Sequence, residues 1–275
     1  VATILGTIQA TLTNFGYLRK RWKDNTEEER LLGVSLTGIM DNSILSRRRT
    51  TLPETLQDMR QKAVTVNKEW SEKLGIPQST AITCVKPSGT VSQLVDSASG
   101  IHARHNPYYI RTVRGDKKDP LTEFMKDQGI PCEDDVMNAH NAVFSFPMKA
   151  DSNAVFRDAM TAIEQLEIWK CYAEHWCEHK PSVTISVKEH EWINVGNWCW
   201  DNFDALSGIS FLPFSDHTYQ QAPYQDIDKA TYEELEAKMP KNINWSELSK
   251  FEKEDSTKGS QELACTAGSC ELVDI

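Results

Sequence analysis

Apolar and polar positions divide the chain into short strands set between helices. Residues 182–187, Ser-Val-Thr-Ile-Ser-Val, alternate cleanly: Val183, Ile185 and Val187 share one face, and Ser182, Thr184 and Ser186 the other. Helical spacing is clearest from Thr51, where Leu56, Met59, Ala63, Val66 and Trp70 form a stripe. Pro53 and Glu54 suit the first turn of that helix, and Gly75 its end. Asn153 is expected to open the longest helix, with Val155, Ala159, Ile163, Leu166, Ala173 and Trp176 as its stripe and Pro181 as its boundary. Thr26-Glu-Glu-Glu29 reads as a capping box for a helix through Leu31, Leu32 and Leu36 that ends at Asp41-Asn42-Ser43. Shorter helices are expected from Asp119-Pro120 to Gly129, through Trp192, Val195 and Cys199, and from Thr231 to Met239. Strands are expected at 79–85, 108–113, 142–147 and 209–212. Residues 1–17 suit a helix or a buried strand equally, and no internal repeat is evident.

Strands alternating with helices imply α/β units and a mostly parallel sheet. A parallel strand covered on both faces is usually apolar throughout. The hydroxyl face of 182–187 therefore suits a barrel wall that packs on helices outside and lines a polar cavity inside. About five strand candidates are too few to close such a barrel, so a partner half is expected to cover the open edges. The polar run from Ser249 to Glu262 reads as a linker, separating a body at 1–248 from a tail at 249–275.

Composition narrows the function classes. The chain has 275 residues, 39% apolar and 25% charged, close to globular norms. No apolar run approaches the roughly 20 residues of a membrane span, and no basic-then-apolar leader opens the chain, so a cytoplasmic protein without a membrane partner is expected. A net charge of -10 argues against nucleic acid as partner. The basic cluster Arg47-Arg48-Arg49 fits a solvated loop. Seven scattered cysteines, several in apolar surroundings (Cys84, Cys171, Cys199), are not a disulfide framework; reduced thiols are expected. The chain opens at Val1 on a run that reads like a domain interior, as a piece of something larger or one half of a split protein would.

Three stretches carry candidate chemistry. Lys86-Pro-Ser-Gly-Thr-Val-Ser92 follows an expected strand; Gly89 admits a ligand close to the backbone, while Ser88, Thr90 and Ser92 supply hydroxyls. The run suits a phosphate, and equally an ordinary strand-to-helix turn. His102 and His105 in the next loop, and Cys171, His175 and His179 along a helix, have metal-like spacings. Without a matching fourth ligand, a hydrogen-bonded loop and a solvated helix face fit them better. At the end of the chain, Cys265 and Cys270 flank Thr-Ala-Gly-Ser behind the polar linker. The pair suits either a mobile dithiol, on a linker able to span about 20–25 Å, or an incidental tail.

Taken together, K-P-S-G-T-V-S (86–92) and S-G-I-H-A-R-H-N-P-Y-Y-I-R-T-V-R (99–114) resemble adenosylcobalamin-dependent (class II) ribonucleotide reductases. The similarity continues through 175–187, 207–224 and R-L-L-G-V-S-L-T-G-I (30–39), in consistent order over nearly the whole chain. The resemblance implies an α/β fold, the second half of a ten-stranded α/β barrel with a flexible C-terminal tail. It further implies that Pro87, Ser88, Gly89, Thr90, Val91 and Ser92 hold the phosphates of a ribonucleotide substrate. Cys265 and Cys270 would then be the shuttle pair that re-reduces the active site, itself recharged by a thioredoxin-like reductant. Chemistry in that family begins with a thiyl radical that abstracts a ribose hydrogen, and a cysteine pair supplies two electrons as the 2′-hydroxyl leaves.

One departure matters. The family's radical cysteine sits in an N-P-C-G-E type loop, which this chain lacks. None of Cys84, Cys132, Cys171, Cys177 or Cys199 has a matching context. By itself the chain is expected to be inactive, and to need an N-terminal half that carries the radical loop. Two alternatives stand beside this reading: a class I-type large-subunit fragment with a metal-radical partner, and a non-catalytic nucleotide-binding module.

Overall fold

The computed structural model describes residues 1–46, 51–89, 91–214 and 219–252. In chain order the elements are α1 (Ala2–Gln9), α2 (Lys20–Glu29), β1 (Val34–Ser35), α3 (Leu52–Leu74), β2 (Thr83–Cys84), α4 (Val91–Leu94), β3 (Tyr108–Asp116), α5 (Pro120–Asp127), β4 (Cys132–Asp134), β5 (Asn141–Lys149), α6 (Ala162–His175), β6 (Val183–Val187), α7 (Trp192–Asp201), β7 (Ile209–Pro213), β8 (Tyr224–Asp226) and α8 (Lys229–Lys238). Two compact units result, the first within Val1–Pro107 and Ala150–His217, the second within Tyr108–Lys149 and Thr218–Ile275.

The first unit is built on two parallel strand pairs, β1 with β2 and β6 with β7. β6 has the burial its alternation predicts: Val183, Ile185 and Val187 are buried, while Thr184 and Ser186 are half-buried. Its core gathers Leu52 and Leu56 of α3, Leu166, Trp169 and Tyr172 of α6, Ile185 of β6 and Val195 and Trp198 of α7. The indole of Trp169 is fully buried and donates to the Pro181 carbonyl at 3.1 Å, satisfying the one polar atom that burial would otherwise strand. α3 runs as expected and ends at Gly75, whose φ of 67° suits a residue without a side chain.

Both strand pairs have an outer edge finished by side chains. Beside β2, the Glu178 carboxylate accepts from the Ile82 and Thr83 amides at 2.8 and 3.1 Å, and the Glu178 amide donates to the Thr83 carbonyl at 2.8 Å. Beside β6, the Thr184 amide donates to His102 Nε2 at 3.1 Å, and Gln165 bonds both the amide and the carbonyl of Ser186 at 3.3 Å.

The second unit is organised differently. Its four strands form one antiparallel sheet in the order β4-β5-β3-β8, with β3 and β5 paired over nine residues from Tyr108↔Lys149 to Asp116↔Asn141. Ile130, Ala142 and Phe144 form a small core, flanked by Met239 and Ile243. Asp119 caps α5 by accepting from the Leu121 amide at 2.8 Å, as the sequence predicts, and Gly129 follows with φ 76°. Residues 245–250 form a 3-10 turn, after which Phe251 stacks edge-on against the buried Phe124, ring centres 5.7 Å apart.

Several expectations are corrected. The largest sheet among the described residues is antiparallel, so parallel pairing is confined to the first unit. Thr26 does not open a helix but lies inside α2, its hydroxyl turned back to the Trp22 carbonyl at 2.7 Å. Arg30 then ends α2 with φ 47°, and Leu32, Val34 and Leu36 run extended, their amides bonded to Ala81, Ile82 and Cys84. The helix expected from Asn153 begins instead at Ala162, behind a capping box formed by Thr161 and Glu164. α3, with 23 residues, is the longer helix. Among the described residues no helix is long and apolar enough to cross a membrane.

Candidate functional site

The Lys86–Ser92 run leaves β2 at Cys84 and is held from beneath by a set of short bonds. The Lys86 amide donates to Ser35 Oγ at 2.9 Å. Ser88 Oγ lies 2.6 Å from Thr37 Oγ1, and the Gly100 amide approaches both hydroxyls at 3.0 Å. Gly100 is needed here for two reasons: its φ is +56°, and a Cβ would sit 2.7 Å from the Lys86 carbonyl oxygen.

A buried ion pair fixes the same layer. Arg104, 4% exposed, makes a two-pronged contact with Asp41, each bond 2.9 Å, and also reaches the Asp96 carboxylate at 3.2 Å and its carbonyl at 2.6 Å. Asp41 in turn accepts from the Ala98 amide at 2.7 Å. Each charge is thereby matched, as burial demands. The backbone from 96 to 104 is clamped, and Gly100 with it.

The candidate residues do not all face the same way. Pro87 and Gly89 are exposed, and a Cβ built on Gly89 would meet nothing within 4 Å, so its backbone stands open. Val91 is 63% exposed. Ser88 is half-buried with its hydroxyl toward Thr37, whereas Ser92 is fully buried, its hydroxyl donating to the Ser88 carbonyl. Thr90, Cys265 and Cys270 lie outside the described residues, as do Arg47, Arg48 and Arg49.

The histidine spacings do not make metal sites. His102 uses both ring nitrogens on backbone: Nε2 accepts from the Thr184 amide, so Nδ1 carries the proton and donates to the Ser99 carbonyl at 3.1 Å. Burial holds its pKa below the ordinary histidine value, against the pull of the Ser99 bond. On the helix side, His179 Nε2 is bonded to the Leu32 carbonyl at 2.7 Å, and His175 Nδ1 to the Gln57 amide at 2.9 Å. Among the described residues no cluster of His, Cys, Asp and Glu is arranged for a metal.

The described cysteines are all free thiols. Cys84 and Cys177 are buried, and burial pushes both thiols up, Cys177 to about 12. A thiol so protonated is a poor nucleophile. Cys132 is exposed, on β4 of the second unit.

Thr37, Gly100 and the Asp41–Arg104 pair were not singled out by motif or spacing. Thr37 and Gly100 meet Ser88, and Asp41 meets Arg104, through contacts across 12 to 63 positions, for which local pattern holds no signal.

Comparison with known proteins accords with the resemblance. No family model matches the chain. It is 30% identical over 215 residues to a probable adenosylcobalamin-dependent ribonucleoside-triphosphate reductase of Dictyostelium discoideum, covering 76% of this chain and 27% of that protein. The corresponding enzyme of Euglena gracilis is 29% identical over 261 residues, covering 90% of this chain and 35% of its own length. That of Lactobacillus leichmannii is 27% identical over 245 residues, covering 79% and 33%. The chain thus spans about a third of the length of the curated relatives it matches. Its fold matches a crystal structure of a B12-dependent (class II) ribonucleotide reductase with a TM-score of 0.75 at 23% identity, covering 92% of this chain and 40% of that one.

Proposed function

We propose that this chain, a relative of part of the adenosylcobalamin-dependent ribonucleotide reductases, is the C-terminal portion of such an enzyme and serves the reduction of ribonucleotides to deoxyribonucleotides. The observation that carries the reading is the continuity of the similarity: a single alignment takes in 261 residues and 90% of the chain. The relatives' names point to ribonucleoside triphosphates as the substrate class.

In this reading Pro87, Ser88, Gly89, Thr90, Val91 and Ser92 hold the substrate phosphates. The open backbone at Gly89 supports it, as does the rigid floor of Ser35, Thr37 and Gly100 beneath the run. The buried Ser92 hydroxyl contributes by closing the turn on the Ser88 carbonyl. Cys265 and Cys270 act as a dithiol that reduces a disulfide on the N-terminal portion of the enzyme. Two electrons pass, the tail pair becomes a disulfide, and a thioredoxin-like reductant restores it. The radical cysteine belongs to that N-terminal portion, since none of the described cysteines lies in a matching loop. The buried, protonated Cys84 and Cys177 are poorly suited to thiolate exchange.

Adenosylcobalamin is the cofactor implied for the complete enzyme, where it would supply the radical. With both ring nitrogens of His102 bonded to backbone, that residue offers cobalt no ligand, and no step in this chain is derived through the corrin.

The test is reconstitution. The chain is mixed with a candidate N-terminal portion, adenosylcobalamin and a thioredoxin system, and deoxyribonucleotide is measured. Product formed only in the full mixture is expected. Activity that ignores cobalamin and requires a metal-loaded subunit, or nucleotide binding with no reduction in any mixture, would overturn the proposal. Cys265→Ser and Cys270→Ser should each stop multiple turnovers with thioredoxin while sparing turnover with a small dithiol.

A further inference from the structure

We infer that Thr37 is a positioning residue that sets the hydrogen-bond polarity of Ser88, switching it from acceptor to donor when a phosphate reaches the 86–92 run. The inference rests on the proposed reading of that run as a phosphate site.

The argument is a count of protons. Thr37 Oγ1 has one proton and lies 3.1 Å from the Ala98 carbonyl, which can only accept. With that bond made, the 2.6 Å contact between the two hydroxyls must be donated by Ser88. The Gly100 amide, 3.0 Å from both oxygens, adds a donor to each and relieves neither. Ser88 in this arrangement has given its only proton inward. It faces an incoming phosphate as an acceptor, the wrong polarity for an anion.

Rotating two O–H bonds reverses this without moving a heavy atom. Thr37 turns its proton from Ala98 to Ser88, exchanging a 3.1 Å bond for a 2.6 Å one, and Ser88 turns its proton outward to a phosphate oxygen. No covalent bond breaks and no proton is gained or lost. The Ala98 carbonyl is not abandoned, because the Gly38 amide already donates to it at 2.8 Å. The Ser88 oxygen, still receiving from Gly100 and now from Thr37, becomes a stronger donor through the chain of bonds. Thr37 need not touch the ligand; it acts through Ser88.

The experiment is a double-mutant cycle on the full chain, with ATP and inorganic tripolyphosphate as probes in isothermal titration. Ser88→Ala should weaken both probes by roughly ten- to a hundredfold, the worth of a hydrogen bond to a charged group. Thr37→Val, similar in shape but lacking the hydroxyl, removes the acceptor that holds the Ser88 proton inward and should tighten both probes several-fold, and Thr37→Ser should restore wild-type affinity. In the Ser88→Ala background, Thr37→Val should produce no change, which a merely structural role would not give. Equal affinity of Thr37→Val and wild type overturns the inference and leaves the phosphate reading standing. So does an undiminished change in the Ser88→Ala background, or failure of Thr37→Ser to return affinity to the wild-type value. If the wild-type chain binds neither probe, the phosphate reading of the run falls, and this inference with it.

Discussion

The two units solve the same packing problem with opposite means. The first joins strands that are distant in sequence, Val34 to Thr83 and Val183 to Ile209, in parallel pairs, and fills the space around them with Trp169, Tyr172, Trp198 and the leucines of two helices. The second folds a neighbouring stretch back on itself, β3 against β5, and gathers a small core on the resulting sheet. A parallel pair needs a long crossover, and here the segments around the strands contribute polar groups: Asp41 within the β1–β2 crossover, and Arg104 and Glu178 outside it, all bond to backbone or to one another. The antiparallel sheet has a clamp of its own, the buried Gln221, which donates to the Glu133 carboxylate and the Asp134 carbonyl at 2.8 Å. Its Arg114–Asp135 contact leaves Arg114 34% exposed, so the charge remains partly in water. Where the chain makes non-local connections, it builds the rigid polar floor under the 86–92 run.

The contrast can be broken in several ways, and the largest expected effect is chemical. Burial lifts Cys177 to about 12, and at pH 8 its thiolate fraction should be on the order of a thousandfold below that of an ordinary thiol. Timed alkylation with iodoacetamide and peptide mapping should label Cys132 of the second unit first among the described cysteines, and Cys84 and Cys177 only after denaturation. Early labelling of Cys177 would mean that the first unit opens far more readily than its packing implies.

Next in size is Trp169→Ala, expected to destabilise the first unit by about 3–5 kcal/mol. Hydrogen exchange should then quicken through α3 and α6 while peptides of β3 and β5 keep their protection. Equal loss in both would show that the units unfold together. A matched pair of substitutions sharpens the same point. Asp41→Ala leaves Arg104, 4% exposed, with Asp96 but without its two-pronged partner and should cost about 3 kcal/mol, whereas Asp135→Ala lets the more exposed Arg114 turn to water and should cost about 1–2 kcal/mol. Denaturant midpoints measure both, and a reversed order would refute the assignment of the stronger ionic clamp to the first unit.

The smallest effect is the pH dependence of His102. Its folded pKa lies below the ordinary value because burial disfavours the imidazolium. Between the folded and unfolded pKa values the unfolded chain binds more protons, so stability falls as pH drops below about 6.5, the unfolded value, and is unaffected above it. Melting curves from pH 7.5 to 5.5 should show this decline in the wild type, and less of it in His102→Gln. An unchanged slope would place the acid sensitivity elsewhere.

Legibility in the sequence followed how local each cause is. The 182–187 alternation, the extent of α3, the Asp119 cap and the turns at Gly75 and Gly129 each depend on neighbours within a few positions, and each is found where the pattern puts it; of the α3 stripe Leu56 and Ala63 are buried, but the buried face continues through Asn67 and Ser71, not Val66 and Trp70. Thr26 misled because a threonine three residues before a glutamate can cap a new helix or bond back within an existing one; only the extended path of Leu32 to Leu36, fixed by 81–84, decides. α1 was ambiguous for a related reason. It buries Thr3 and Thr7 while leaving Leu5 61% exposed, because the buried Asn67 of α3 donates to the Thr7 hydroxyl at 3.0 Å. The motif at 86–92 was visible, but the hydroxyl and glycine that hold it, Thr37 and Gly100, were not. Their role exists only once the chain has folded.

The finished edges of β2 and β6 have a directional consequence. With Glu178 on the outer side of β2, and His102 and Gln165 on the outer side of β6, backbone groups of those edges are already engaged. A further strand therefore joins more readily through β1 or β7. The first unit has a built-in polarity of growth: it can be extended from outside at two margins and is guarded against misassembly at the other two.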